Sequence, residues 1–225
     1  MTESAQDRAD RLSREYVERG DPTGWFEALY LAAEGDAQMV PWAQRGPNPN
    51  VTEWIDRQRP DGRGQLALVI GCGLGFDAEA LQRCGYDVTA FDISPTAIEW
   101  CRRLYPPSGV TYVAADLFDP PVEWLGGFDF VLESYTVQAL DPLLHAGALK
   151  RVASFPGPDG GLLLICRGRD DAERVDGPPW PLSREDLGRV EASGLVVSSF
   201  EDYLDRDDPP VRRFRVCYQR SSARR

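Results

Sequence analysis

The sequence predicts an α/β fold: a mostly parallel, seven-stranded sheet with helices on both faces and an antiparallel edge strand. Three observations carry that expectation. Short, continuous apolar runs alternate with helix-like segments from residue 66 onward, and strands buried on both faces read as such runs. A glycine-rich turn directly follows the first run, as at a strand-to-helix corner. The last two strand candidates have no helix between them, so they should pair antiparallel at one edge.

Each element has its own local cause. Ala5, Ala9, Leu12, Tyr16 and Val17 recur at helical spacing until Gly20-Asp21-Pro22 stops them. Residues 25–33 and 51–59 read as two more helices, separated by a loop over 39–49 that holds Pro41, Gly46, Pro47 and Pro49. Residues 66–70 form the first strand, and a helix over 77–84 ends at Gly85. A strand over 88–91 leads to Ser94-Pro95, which opens a helix to residue 104. Strands follow over 110–114 and 128–132, then a helix over 141–155 and a strand over 161–166. Ser183 to Asp186 has the form of a capping box and starts a helix to residue 193. Strands over 195–200 and 211–218 close the pattern, with Phe214, Val216 and Tyr218 on one face.

Composition narrows the function classes. The chain has 225 residues, enough for one sizeable core. Its net charge of -11 repels phosphate backbones, so no nucleic-acid partner is expected. No run of about 18 apolar residues occurs, so no membrane-spanning helix is expected. Residues 1–10 hold no apolar leader, and the five cysteines are scattered without a CxxC pair. We therefore expect a cytoplasmic protein with reduced thiols. A single histidine, His145, excludes a His-rich metal site, and no metal is expected. The composition leaves the oligomeric state open.

Four motifs carry chemistry. Val69-Ile70-Gly71-Cys72-Gly73-Leu74-Gly75 lets the backbone turn tightly and approach a ligand, although a plain strand-to-helix turn would need glycine too. Its spacing is Gly-x-Gly-x-Gly, which departs from the dinucleotide fingerprint. Asp92 ends the second strand, nineteen residues after Gly73, where a carboxylate can accept bonds from both ribose hydroxyls of a nucleoside ligand. Alone it would read as a helix cap; paired with the glycine turn it reads as a ribose acceptor. Asp116 ends the third strand and can either take an adenine amino group or close an Asx-turn. Glu133, Ser134 and Tyr135 fall at the mouth of the fourth strand, where contact with a reacting group and loop capping are equally good readings.

The ordered set resembles the class I S-adenosylmethionine-dependent methyltransferases, with a Rossmann-like sheet, over roughly residues 66–218. The resemblance implies S-adenosylmethionine as cofactor and a small-molecule methyl acceptor. It places Gly71, Gly73 and Gly75 in the family's first motif, Asp92 at the ribose and Asp116 near the adenine. Cys72, Ile93 and Leu117, beside those positions, complete the expected cofactor contacts. The family's usual acid before the first glycine is Ile70 here, which leaves Asp77 as the candidate for the methionine amino group. Glu133 and Tyr135 are the catalytic candidates, with Glu133 also near the cofactor.

A narrower resemblance, to the thiopurine and halide/thiol methyltransferase-like branch, rests on Met39-Val40-Pro41-Trp42 and Gly177-Pro178-Pro179-Trp180-Pro181. It points to Trp25 and Trp42 as residues that cover the cofactor, and a buried core aromatic is an equally good reading of each. Where that branch has Asp after the Pro-Trp pair, this chain has Ala43. Residues 1–60 would then form a helical lid and residues 61–225 the cofactor-binding core. Arg167, Arg169 and Arg174 stand near the start of the loop to Trp180; each by itself reads first as a solvated loop residue, and an Arg here can also hold an anionic substrate. Two other readings stand beside this one. A nicotinamide-dependent oxidoreductase shares the glycine turn and ribose acid, and a non-catalytic module would keep the cofactor fold as a scaffold.

Overall fold

A computed structural model describes residues 3–43, 46–175 and 177–220. Residues 1–2, 44–45, 176 and 221–225, parts of the expected lid, its loop, the Pro/Trp loop and the end of the core, lie outside the described residues. The N-terminal segment folds as Ala5–Glu18 (α1), Gly24–Ala32 (α2) and Pro49–Gln58 (α3). Ser4 caps α1 by accepting the Asp7 N–H at 3.1 Å, and Asn48 caps α3 by accepting the Asn50 N–H at 2.9 Å.

The core alternates strand and helix: Leu66–Ile70 (β1), Phe76–Arg83 (α4), Asp87–Asp92 (β2), Pro95–Leu104 (α5), Thr111–Ala114 (β3), Phe128–Ser134 (β4) and Pro142–Val152 (α6). Pro156–Arg167 (β5), Arg184–Glu191 (α7), Leu195–Leu204 (β6) and Arg212–Arg220 (β7) complete it. The seven strands lie in the order β3-β2-β1-β4-β5-β7-β6. The first five run parallel, and β7 inserts antiparallel between β5 and β6. The strand that runs against the rest is thus one in from the edge, and β6 is the edge itself.

Two apolar layers hold the sheet. On one face Leu68, Ile70, Val131 and Leu164 pack against Leu149 and Val152 of α6 and Leu187 and Val190 of α7. On the other, Val69, Ala90, Leu132 and Ile165 meet Val51 and Trp54 of α3, Leu81 of α4 and Ile98 of α5. A third cluster joins α1 and α2 to the core through Trp25, Leu29, Tyr30, Leu74 and Trp100.

Several boundaries differ from the expected ones by a few residues, and the larger differences have identifiable reasons. The helix after β4 stops at Val152, because the chain turns there and Pro156 already pairs with Phe128 at the start of β5. β6 runs on to Leu204, past its apolar stretch, because acids on it pair with arginines of β7. Asp202 accepts both Nε and Nη2 of Arg212 at 2.8 Å, and Glu201 takes Arg215 at 3.0 and 2.7 Å. Arg215 is only 1% exposed, and its Nη1 also donates to the Asn50 carbonyl at 3.1 Å. The polar face of β7 is therefore closed by α3 rather than open to water.

Candidate active site

The strand order reverses direction between β1 and β4, and in such sheets ligands bind in the crevice beyond the carboxyl ends of the strands at that point. A cavity of about 340 Å³ opens there. Asp92, the last residue of β2, is 8% exposed and lines it. Its Oδ2 accepts the Gly73 N–H at 2.9 Å, and its Oδ1 accepts the Ser94 N–H at 3.0 Å. Burial pushes this carboxyl above its ordinary value. A carboxylate has about four acceptor positions, more than these N–H groups use, so the acid that fixes the glycine turn can also take a ligand's hydroxyls.

The glycine turn divides its work. Gly71, Gly73 and Gly75 all have positive φ (57°, 53° and 79°). A Cβ on Gly71 would stand 2.3 Å from Thr136 Oγ1, and one on Gly75 would stand 2.5 Å from the Tyr112 hydroxyl oxygen. Those two glycines serve packing within the chain. A Cβ on Gly73 would meet only Tyr30 Oη at 3.4 Å and Trp42 Cδ1 at 3.9 Å, and so would stand in the cavity. Gly71 and Cys72 also line the cavity, whereas Gly75 does not.

The remaining cofactor-side candidates converge. Asp116 and Leu117 line the cavity beside Ile93. Asp116 also forms the Asx-turn, its Oδ1 accepting the Phe118 N–H at 2.8 Å. Asp77, in the first turn of α4, lines the wall and accepts the Asn48 N–H at 2.7 Å. Desolvation raises it to about 6. Trp25 and Trp42 approach edge to face, with centroids 5.7 Å apart, and both line the cavity. Trp42 Nε1 donates to the Tyr30 hydroxyl at 2.9 Å, which fixes that corner.

The fourth strand splits its candidates between two places. Tyr135 lines the cavity, with φ +66°, and its hydroxyl accepts from Asn50 Nδ2 at 2.8 Å. Glu133 does not reach the cavity. It pairs in register with Ile70 and Leu164 and sits wholly buried on the α6/α7 face of the sheet. Its Oε1 accepts the Thr136 and Val137 N–H groups at 2.8 and 2.9 Å, whereas Oε2 has no partner. Period-2 alternation turns Glu133 away while the left-handed backbone at Tyr135 turns that ring in.

Burial lifts Glu133 to about 7, from an ordinary 4.5. The folded chain holds this proton after the unfolded chain has released it, so stability falls as pH rises through that window and is level above it. The loss between about pH 5 and pH 8 should be about 2 to 3 kcal/mol. Urea melts of Glu133→Gln and wild type at the two pH values check it. The wild type should lose that much relative to the variant; parallel pH dependence would rule the buried acid out as the cause.

Beyond Tyr135 the lining turns basic. Arg167, at the end of β5, and Arg213, at the start of β7, both line the cavity. Arg169 does not: it pairs with Asp186 at 2.7 Å and donates to the Pro181 carbonyl at 2.9 Å, which holds the loop in shape. Pro178 and Pro179 line the cavity, and Gln6 of α1 donates to the Pro178 carbonyl at 3.2 Å. His145 is a packing residue whose Nε2 donates to the Leu140 carbonyl at 2.9 Å. Among the described residues, no cluster of His, Cys, Asp and Glu could hold a metal ion, and no helix is long and apolar enough to cross a membrane.

Residues 68–164 match the methyltransferase domain family. The chain is 27% identical over 205 residues to a probable thiol methyltransferase 2 of Arabidopsis thaliana, covering 88% of this chain and 81% of that protein. A thiocyanate methyltransferase 1 of Brassica oleracea is 29% identical over 171 residues, 74% of this chain and 67% of that one. The fold is similar to that of a Burkholderia thailandensis 1,6-didemethyltoxoflavin-N1-methyltransferase with bound 1,6-didemethyltoxoflavin and S-adenosylhomocysteine. Its TM-score is 0.65 at 19% identity, over 93% of this chain and 90% of that one.

The residues lining this cavity fit S-adenosylmethionine as cofactor. Gly73 leaves a cradle that a Cβ would fill, and the buried Asp92 stands beside it with acceptor capacity to spare. Sequence reasoning missed Asn48, Asn50, Tyr30 and Arg213. Asn48 Nδ2 donates to Ser134 Oγ at 3.0 Å, so the two asparagines tie the N-terminal segment to the mouth of β4. Asn48 before Pro49 was readable as a helix cap; its reach to β4 was not.

Proposed function

We propose that this chain methylates a small-molecule thiol. The observation that carries the proposal is the make-up of the acceptor end of the cavity, near Tyr135. It offers a phenol and two guanidiniums, and the carboxylate at that end, Asp207, is already engaged by Arg213. Burial raises Tyr135 above its ordinary value, which keeps it protonated, and Glu133 lies behind the wall. Such a site suits a nucleophile that ionises without a general base, as a thiol does. The likeness to thiol and thiocyanate methyltransferases supports the same reading.

Bound S-adenosylmethionine would supply an electrophilic methyl group, and a thiolate acceptor would take it with no proton left to remove. Asp92 would accept the ribose hydroxyls, Asp116 and Leu117 would hold the adenine with Ile93, and Gly73 would give room for the chain that Asp77 anchors. Trp25 and Trp42 cover that half of the site and exclude water, as lid residues of the N-terminal segment. Asn50 occupies a lone pair of the Tyr135 oxygen, so the Tyr135 proton is left to donate to the acceptor and orient it. The five cysteines are all free, in keeping with a reducing cytoplasm.

Incubation of the protein with methyl-labelled S-adenosylmethionine and a panel of thiols, phenols, amines and halides tests this by mass spectrometry. The label should appear on thiols. Transfer to amines or phenols alone would replace the thiol reading, and binding of NADPH more tightly than S-adenosylhomocysteine would replace the methyltransferase.

A further inference from the structure

Arg167 and Arg213 are register partners across β5 and β7 and share the acceptor end of the cavity. They differ in how their charges are met. Arg213 is 4% exposed; its Nε pairs with Asp205 at 2.6 Å and its Nη2 with Asp207 at 3.1 Å. Its Nη1 is fully buried and has no partner. The Arg167 guanidinium has no carboxylate in ion-pair range and no hydrogen-bond acceptor among the described residues. Burial and the nearby Arg213 charge both lower its pKa. Asp207, the acid that also lines this end, has a 63% exposed side chain and is already engaged by Arg213.

An orphaned, buried guanidinium N–H costs about 1–3 kcal/mol or more, and an unpaired cation beside another cation adds to that cost. The cost of the unpaired Arg167 cation vanishes if the ligand brings an anion, and the neighbouring Arg213 charge favours that anion further. The position indicates which part of the ligand carries it. β5 and β7 lie one and two strands beyond β4, so the pair stands about 5–10 Å to the side of Tyr135, away from Asp92 and Asp116 on β2 and β3. Arg213 reaches back toward that site, its guanidinium 4.9 Å from the Tyr135 ring centroid. The free N–H fork of Arg167 matches a planar oxyanion better than a point charge such as a halide.

We propose that Arg167 and Arg213 form a carboxylate-binding subsite for the methyl acceptor, so that the substrate is an organic acid whose carboxylate lies several bonds from the methylated atom. This rests on the methyltransferase reading and deepens it. It also separates the substrate from thiocyanate or a halide, in which the nucleophile is itself the anion.

Thermal denaturation with benzoate and its neutral isostere benzamide tests the subsite without knowledge of the acceptor. With S-adenosylhomocysteine present, benzoate at about ten times its Kd should raise Tm by about 3 °C, and benzamide should not. Arg167→Gln should abolish the benzoate shift, and Arg167→Lys, which keeps the charge without the fork, should reduce it. Equal shifts for the two compounds, or a benzoate shift that survives Arg167→Gln, would overturn the proposal. So would a loss of S-adenosylhomocysteine affinity in Arg167→Gln, because the pair would then serve the cofactor's own carboxylate. Failure of S-adenosylhomocysteine to bind the wild type would instead remove the methyltransferase reading, while the benzoate and benzamide arms still report on the arginines.

Discussion

Asp92→Asn should weaken S-adenosylhomocysteine binding by about 100-fold and leave the chain folded. The carboxylate is to accept two ribose hydroxyls, and bonds to a charged group contribute about 1.5–3 kcal/mol each. The amide keeps one neutral acceptor oxygen, so losing one charged bond and weakening the other would cost about 3 kcal/mol, a factor on the order of 10² in Kd. The amide has the same shape, but its NH2 group must face either the Gly73 or the Ser94 N–H, donor against donor. Some stability will therefore be lost as well. Calorimetric titration at a temperature well below the variant's Tm separates the two effects. A Kd within threefold of wild type would show that Asp92 serves only the turn.

Gly71→Ala and Gly73→Ala should fail in opposite ways. At Gly71 the new Cβ would lie 2.3 Å from Thr136 Oγ1 and 2.6 Å from its Cγ2. Thr136 is β-branched and held at both ends: its Oγ1 donates to the Ile70 carbonyl at 3.0 Å and its N–H to Glu133 at 2.8 Å. It cannot swing aside without breaking those bonds. Left-handed strain of about 1–2 kcal/mol adds to the overpacking, for a total loss of about 4 kcal/mol. At Gly73 the nearest atom is 3.4 Å away, so only the strain remains, about 1 kcal/mol. There the Cβ occupies ligand space, and S-adenosylhomocysteine affinity should fall at least tenfold. Urea denaturation and calorimetry on both variants check the pair; equal destabilisation by the two would contradict this division of labour.

Much of the cofactor half was legible in the chain because it is built locally. Each strand brings its terminal acid or glycine to the same edge of a parallel sheet, so Asp92, Asp116 and the glycine turn can be placed once the strands are recognised. Tyr135 and Glu133 show where this stops. They are two residues apart at one strand end, yet one lines the cavity and the other caps Thr136 and Val137 behind it. A φ of +66° at Tyr135 decides the difference, and nothing in Glu133-Ser134-Tyr135 announces it.

The acceptor half was less legible because it is assembled from distant pieces. Arg213 and Arg215 alternate with Phe214 and Val216, so the pattern reads as an ordinary half-exposed strand. Only the docking of α3 and the insertion of β7 beside β5 bury both arginines and turn one of them toward Arg167. The sequence by itself determined the alternating sheet, its ribose acid and its glycine turn, because period and spacing dictate them through local geometry. The tertiary structure alone decided which charges lose their water and which face the cavity, because desolvation depends on what covers a side chain, and the covering segment lies more than a hundred residues away in the chain.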